Sequence, residues 1–418
     1  MNTGIMNRTS THIARTEDPA EHPRGIDLAL LVTTLLLVGL GVIMVFSASA
    51  VLAGDRFGDP WHYLKRQALF ALMGIGLMAA LAHTPYRLYR SLVYPLLAIT
   101  GVLLLLVLIP GVGASKGGAT RWLAVGPISF QPSELARLSL IFYLAYSLDK
   151  KQANIKSFSI GILPHLVIAG FILSLILLEP DFGTTVTLAL ILFLMMFLAG
   201  VRLKHLGALL LAALPVFVFV MVGAAYRLKR LTTFIDPWND PVDAGFQIIQ
   251  SWIAFHKGGI FGQGLGSSQQ KLFYLPEAHT DFIFSVLGEE LGLVGVLVVL
   301  GLYLTLVLRG IAIARSAPDL FGCLLGLGLT SWLGIQTVIN IGVVLGLLPT
   351  KGLVLPFMSS GGTSLVTALA AVGILLNISA SRGHLGTTYV EGRSWSMQRR
   401  QSPSRPSRHP KPLPRRVR

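Results

Sequence analysis

Ten apolar runs dominate this chain, at about 27–49, 64–83, 91–109, 133–148, 161–178, 184–200, 206–225, 283–308, 320–346 and 363–381. A run of roughly 17–25 apolar residues crosses about 30 Å of hydrocarbon as a helix. In lipid every backbone N–H and C=O must be satisfied internally, which such a helix does by itself. The pattern predicts an all-α integral membrane protein with ten transmembrane helices. Composition agrees: 53% of residues are apolar and only 13% charged, with a mean hydropathy of +0.68. A soluble globular core is excluded.

The runs divide the chain into a polar N-terminal arm (1–26), a membrane domain (27–381) and a tail (382–418). The first run is too long for a signal-peptide core and lacks a small-residue cleavage site, so it is read as a retained helix. Arg8, Arg15, Arg24, Arg87, Arg90, Lys150, Lys151, Lys156, Arg202, Lys204, Arg309 and Arg315 fall on one side of the alternating loops. The excess of Lys and Arg on cytoplasmic loops places both termini in the cytoplasm. The net charge of +15 owes much to the tail, where nine Lys and Arg after residue 382 face one acid, Glu391. Its Ser, Pro and Arg content predicts a disordered arm that binds anionic lipid head groups and not nucleic acid. The single cysteine, Cys323, excludes an intrachain disulfide.

On the outer side, residues 226–282 form a large loop between helices seven and eight. Its aromatic content, including Trp238, Phe246, Trp252 and Phe255, is too high for a solvated coil. Residues 243–257 carry apolar stripes at helical spacing. Two readings stay open, an interfacial helix with its apolar face in lipid and a packed re-entrant helix. The glycine-rich stretch Gly258–Lys271 fails the G-x-G-x-x-G register, because Ser267 occupies the third glycine position. Its N–H groups, with Lys257 and Lys271, either hold a phosphate or serve tight turns.

Several ionisable groups sit where desolvation is costly. Glu277, His279 and Asp281 fall within five residues just before the eighth run; Glu134 and Arg137 are one turn apart in the fourth. Arg121 lies in the outer loop before the fourth run, Glu179 and Asp181 bracket Pro180, and Gln336 and Asn340 form an i, i+4 polar stripe. Lys351 precedes the Ser359–Ser364 turn. Lys65 and Arg66 are read as snorkelling residues at a helix end. A guanidinium inside a helix needs an anion, so Arg137 stands out. Cations with N–H donors suit a pyrophosphate, and a carboxylate suits removal of a hydroxyl proton. A metal triad of Glu277, His279 and Asp281 would need further ligands and an outer shell.

The segment Gly264-Leu-Gly-x-Ser268-x-x-Lys271-x-x-Tyr274-Leu-Pro-Glu-Ala-His-Thr-Asp281, followed by Gly288-Glu-Glu-Leu-Gly292, resembles the signature of the SEDS (shape, elongation, division and sporulation) family. So do Phe46-Ser-Ala-Ser49, Gln131-Pro-Ser-Glu134-Leu-Ala-Arg137, Glu179-Pro-Asp-Phe-Gly183-Thr and Leu348-Pro-Thr-Lys-Gly352, in one continuous order from 27 to 381. Tyr-Leu-Pro-Glu-Ala-His-Thr-Asp and Leu-Pro-Thr-Lys-Gly look like the division branch and not the elongation branch. Ser360 departs from the family, standing where relatives often carry tyrosine.

The resemblance implies a peptidoglycan glycosyltransferase that polymerises lipid II on the outer face of the bacterial inner membrane. It implies a role at the division septum, with a cognate class B penicillin-binding transpeptidase (FtsI-like) and other divisome proteins. By the same resemblance Asp281 is the catalytic base and Arg137 pairs with it. Arg121, Lys271 and Lys351 are candidates for the pyrophosphate, with Glu134, His279 and Ser364 as further substrate-binding candidates. No cofactor is fixed by any motif; a divalent cation (Mg2+ or Mn2+) at the pyrophosphate is compatible with the chemistry. A lipid II flippase and a non-catalytic divisome scaffold are the alternative functions.

Overall fold

The structure is a computed structural model. It describes residues 25–381 except 117–118, 126–127, 242–244 and 273–274. Most of the N-terminal arm, the whole basic tail and Tyr274 therefore lie outside the described residues.

Each predicted apolar run coincides with a helix. These are α1 (Leu28–Phe57), α2 (His62–His83), α3 (Tyr89–Leu108), α4 (Pro132–Lys150), α6 (Leu163–Leu178), α7 (Phe182–Leu198), α8 (Leu203–Val222), α11 (Ile283–Arg315), α12 (Leu320–Val344) and α13 (Gly362–Ala380). A four-residue α5 (Phe158–Gly161) leads into α6. Among the described residues eight helices are long and apolar enough to cross a membrane. The other two coincidences fall short for different reasons: α7 has 17 residues, and α4 carries Glu134, Arg137, Asp149 and Lys150.

The helices differ in what covers them. Of its most apolar stretch, α13 buries 89% inside the protein and α12 67%, but α8 only 11%. Central α4 buries Glu134 and Arg137 beside Leu140, Ile141 and Leu144. A helix that is apolar all round and covered by protein forms the core, whereas one left open presents its side chains to lipid. Leu211 and Phe219 on α8 are 71% and 78% exposed accordingly.

One region departs from the sequence reading. The stretch after α3, expected as an outer loop, folds as an antiparallel meander of β1 (Gly113–Lys116), β2 (Ala119–Val125) and β3 (Ile128–Phe130). Its register pairs Ala114 with Trp122 and Leu123 with Phe130. Side chains pin it to the bundle: Arg66 Nη2 donates to Ser129 Oγ at 2.7 Å, and Thr363 Oγ1 donates to Ser129 O at 3.3 Å. The long segment before α11 holds α9 (Ala225–Ile235) and α10 (Phe246–Gly258). Of the two readings left open for α10, the packed helix is the one found. It buries Ile248, Ile249 and Ala254 in protein, and Ser251 Oγ donates to Val344 O at 2.6 Å.

The glycine-rich stretch serves turns. Its backbone pairs with the start of α11: Gln263 N and Gly264 N donate to Glu289 O and Glu290 O, each at 3.0 Å. Gly262 (φ +81) and Gly292 (φ +65) take left-handed backbone where they meet. A Cβ on Gly292 would lie 2.3 Å from Gly262 N, and one on Gly262 2.2 Å from Glu290 O. The left-handed conformation alone costs an ordinary residue about 1–3 kcal/mol, and the backbone contact cannot rotate away. Gly292→Ala and Gly262→Ala are each expected to lower the unfolding temperature of the detergent-solubilised protein by several degrees. Gly76→Ala is the control: a Cβ there meets nothing within 4 Å, so its unfolding temperature should hold or rise slightly.

Candidate active site

Asp281 sits at the mouth of α11. The chain turns at Glu277 (φ +56), with Thr280 N and Phe282 N both donating to Glu277 O. The polar stripe of α12 then fixes two loops together. Asn340 Nδ2 donates to Asp281 O at 3.0 Å and to Leu353 O at 2.6 Å, while Gln336 Nε2 donates to Val354 O at 2.9 Å. Ser359 Oγ donates to Thr280 O at 2.6 Å, and Ser360 N to His279 O at 2.9 Å. This stitching brings Gly352 against the Asp281 carboxylate. A Cβ on Gly352 would lie 3.5 Å from Asp281 Oδ2 and 4.0 Å from Arg121 Nη1.

Beside that point opens a cavity of about 360 Å³, lined by Arg121, Arg227, Arg230, Lys351, Asp181 and Tyr226 among others. Its cations come from β2, α9 and the loop after α12. Arg121, on β2, is clamped on the α6–α7 turn, its Nε donating to Glu179 O at 3.3 Å and its Nη2 to Pro180 O. Arg227 and Arg230 project from α9, Arg227 Nη1 capping α8 at Val220 O and Arg230 Nη1 reaching Thr350 O at 3.4 Å. Lys351 Nζ stands 5.5 Å from the centre of the Phe182 ring. A larger groove of about 800 Å³ runs along α8 between Leu211 and Gly223. Every side chain lining it is apolar, so it offers no group for chemistry.

The electrostatics suit a base beside an anion site. Asp281 keeps part of its surface accessible, yet protein packs densely around the carboxyl. Desolvation pushes its pKa up to about 7; Glu277 and Asp181 add to the rise, and Arg230 and Arg121 oppose it. Burial, reinforced by Asp181, lifts the Glu179 carboxyl to about 8. Burial also draws the Lys351 ammonium below its ordinary value. A carboxyl near 7 is well placed to exchange a proton at neutral pH.

Other residues singled out from the sequence lie elsewhere. The guanidinium of Arg137 donates to Glu134 at 2.7 and 2.8 Å, to Gln336 Oε1 at 3.2 Å and to Thr184 Oγ1 at 2.8 Å. The expected pairing with Asp281 gives way to a buried ion pair in the bundle core. Lys271 is likewise committed, donating to Glu290 Oε1 at 2.9 Å, Ser47 Oγ at 3.1 Å and Gly266 O at 2.7 Å. The N–H groups proposed for a phosphate are taken by Glu289, whose carboxylate accepts from Gln269 N, Gln270 N and Ser268 Oγ. Lys257 donates to Gln269 Oε1. His279 packs on Tyr63 with ring centres 4.6 Å apart. Ser364 is buried in the first turn of α13, and Lys65 pairs with Asp59 on the surface.

Among the described residues no three His, Cys, Asp or Glu side chains converge as a metal site. Glu277, His279 and Asp281 thus do not assemble the triad their spacing allows. The cavity's four cations, with Asp181 already engaged by Thr184, do not fit a protein-held divalent ion. Arg227 and Arg230 were not singled out from the sequence. The available signal was the basic run Tyr226-Arg-Leu-Lys-Arg230, which puts both arginines on one helix face at i, i+3.

A carboxylate beside a cation cluster in a bundle of apolar helices can be compared with known proteins. The sequence model FTSW_RODA_SPOVE, described as a cell cycle protein, matches residues 28–384. The chain belongs to the FtsW/RodA/SpoVE family. This bears out the SEDS resemblance. A Geobacter sulfurreducens relative named "Probable peptidoglycan glycosyltransferase FtsW" is 50% identical over 353 residues, covering 84% of this chain and 95% of that protein. Stage V sporulation protein E of Bacillus subtilis is 48% identical over 353 residues, covering 84% and 96%. A solved chain from a study of polymerization and crosslinking by a peptidoglycan synthase complex superposes with a TM-score of 0.70 at 32% identity, covering 86% and 99%. The Thermus thermophilus rod shape determining protein RodA gives a TM-score of 0.65 at 31% identity, covering 86% and 98%. The apolar helices and the FtsW/RodA/SpoVE membership make this an inner-membrane protein.

Proposed function

We propose that this chain is a peptidoglycan glycosyltransferase that polymerises lipid II into glycan strands during septal wall synthesis. One observation carries the reading: the Asp281 carboxylate lies against Gly352, at the edge of a cavity lined by Arg121, Arg227, Arg230 and Lys351. The named relatives support the reaction class.

In this account Asp281 takes the proton of the acceptor's GlcNAc 4-hydroxyl. The hydroxyl oxygen forms a bond to the anomeric carbon of the donor's MurNAc. The bond from that carbon to the pyrophosphate oxygen breaks, and its electron pair leaves with undecaprenyl pyrophosphate. The four cations face the charge that develops there, where fixed donors stabilise the leaving pyrophosphate. Pyrophosphate departs without a strong protein acid, so one carboxylate suffices where a glycosidase needs two. A single displacement inverts the centre, giving a β-1,4 linkage from an α-linked donor.

The reading extends to a class B transpeptidase as partner, to the division septum and to cytoplasmic termini. The orientation is supported by Arg87, Arg90 and Arg309, whose ion pairs with Asp319, Asp149 and Asp27 gather at the helix ends away from the cavity. Labelled lipid II in vesicles, with the purified protein and with or without its transpeptidase, tests the function. Glycan strands are expected. Translocation of intact lipid II without polymer points to a flippase; neither outcome in any composition leaves a scaffold.

A further inference from the structure

Arg137 does not touch Asp281, yet a continuous polar chain leads from one towards the other. Arg137 Nη2 donates to Thr184 Oγ1 at 2.8 Å. That hydroxyl donates in turn to Asp181 Oδ2 at 2.9 Å, and Thr184 N donates to Asp181 Oδ1 at 3.1 Å. Asp181 Oδ1 faces Arg121 Nη1 at 3.8 Å. Arg121 Nη1 and Asp281 Oδ2 both lie within 4.0 Å of the point where a Gly352 Cβ would stand. Arg137, Thr184 and Asp181 are 1%, 1% and 2% exposed, so water does not compete along this path, and hydrogen bonds in such surroundings polarise one another.

We infer that Thr184 is a positioning residue for the polymerisation proposed above, its hydroxyl relaying the buried Arg137 charge to Asp181 and thereby setting where Arg121 stands over Asp281. A hydroxyl is the group the position requires. It must accept from a guanidinium and donate to a carboxylate at once, which Val, Ala or a second cation does not do. The motif Glu179-Pro-Asp-Phe-Gly-Thr184 supplies both partners from one turn: the Asp181 side chain caps α7, and the backbone oxygens of Glu179 and Pro180 hold the rest of Arg121. The inference rests on Asp281 acting as the base.

Thr184→Val removes the hydroxyl at nearly constant shape, and Thr184→Ser keeps it. With labelled lipid II and the transpeptidase present, Thr184→Val is expected to lower kcat about tenfold with KM within about twofold. Its low-pH limb should move to higher pH, since Arg121 is one of the two cations that hold the Asp281 pKa down against Glu277 and Asp181. Thr184→Ser should stay within about twofold of wild type. In an Arg121→Ala background Thr184→Val should add almost nothing, because both act on one element. If Thr184→Val does not fold, Asp181→Asn is read against the same Arg121→Ala background, with the same non-additivity expected.

A Thr184→Val protein that melts earlier but keeps kcat and the pH limb in its folded fraction overturns the inference, as do effects that add fully to Arg121→Ala. If wild type itself makes no polymer, the proposed function fails and not the relay.

Discussion

Asp281→Asn should abolish glycan polymerisation, with kcat falling about 10²–10⁴-fold, the range that a positioned acid or base supplies. The substitution is nearly isosteric and removes only the capacity to take a proton. The contacts that place this residue run through its backbone, since Asn340 donates to Asp281 O and Ser359 to the neighbouring Thr280 O. They survive the change, so the unfolding temperature should hold. Lipid II binding should also persist within a few-fold, because the cations lining the cavity are untouched. Loss of kcat at constant KM is the mark of an interaction made in the transition state. Polymer formation at wild-type rate would remove Asp281 from the chemistry.

Arg137→Met is expected to act first on the fold. It strands the Glu134 carboxylate, 2% exposed, in the bundle core. Breaking one side of a buried pair costs about 3–5 kcal/mol, because the surviving charge has nowhere to go. The detergent-solubilised protein should therefore unfold at a markedly lower temperature. The double variant Glu134→Gln with Arg137→Met should regain much of the loss, since it removes both charges together. A single variant as stable as wild type would mean that the pair is dispensable. Any folded Arg137→Met protein should also show the kcat loss of Thr184→Val.

The membrane helices were legible because lipid leaves a chain few options: each apolar run had to be a helix, and each is. Asp281 was legible because an ionisable cluster at a helix mouth is costly without a purpose. Partner choice was not legible. Arg137, Lys271 and Lys257 each looked available in one dimension, and each is consumed by an acceptor that is either one helical turn away or remote in sequence, such as Glu134 or Glu290. For the glycine-rich stretch the sequence left phosphate binding and turns open, and three dimensions decide for turns, because Glu289 fills the N–H groups that a phosphate could have used. Conversely, Arg227 and Arg230 drew no reading from the sequence. Only the approach of α9 to the Thr350–Gly352 loop makes them part of the site. The small sheet was missed although Thr120, Trp122 and Val125 are residue types that favour strands; being short and beside long apolar runs, it read as a connection.

The most direct test of a proton-accepting Asp281 is the pH dependence of kcat/KM for lipid II polymerisation by the protein with its transpeptidase, between about pH 5.5 and 8.5. The carboxylate must be ionised to act, and its pKa is raised to about 7. Activity should therefore climb with pH, with its midpoint near 7, and the residual activity of Asp281→Asn should lack that limb. A flat profile for the wild type, or the same limb in Asp281→Asn, would contradict the assignment.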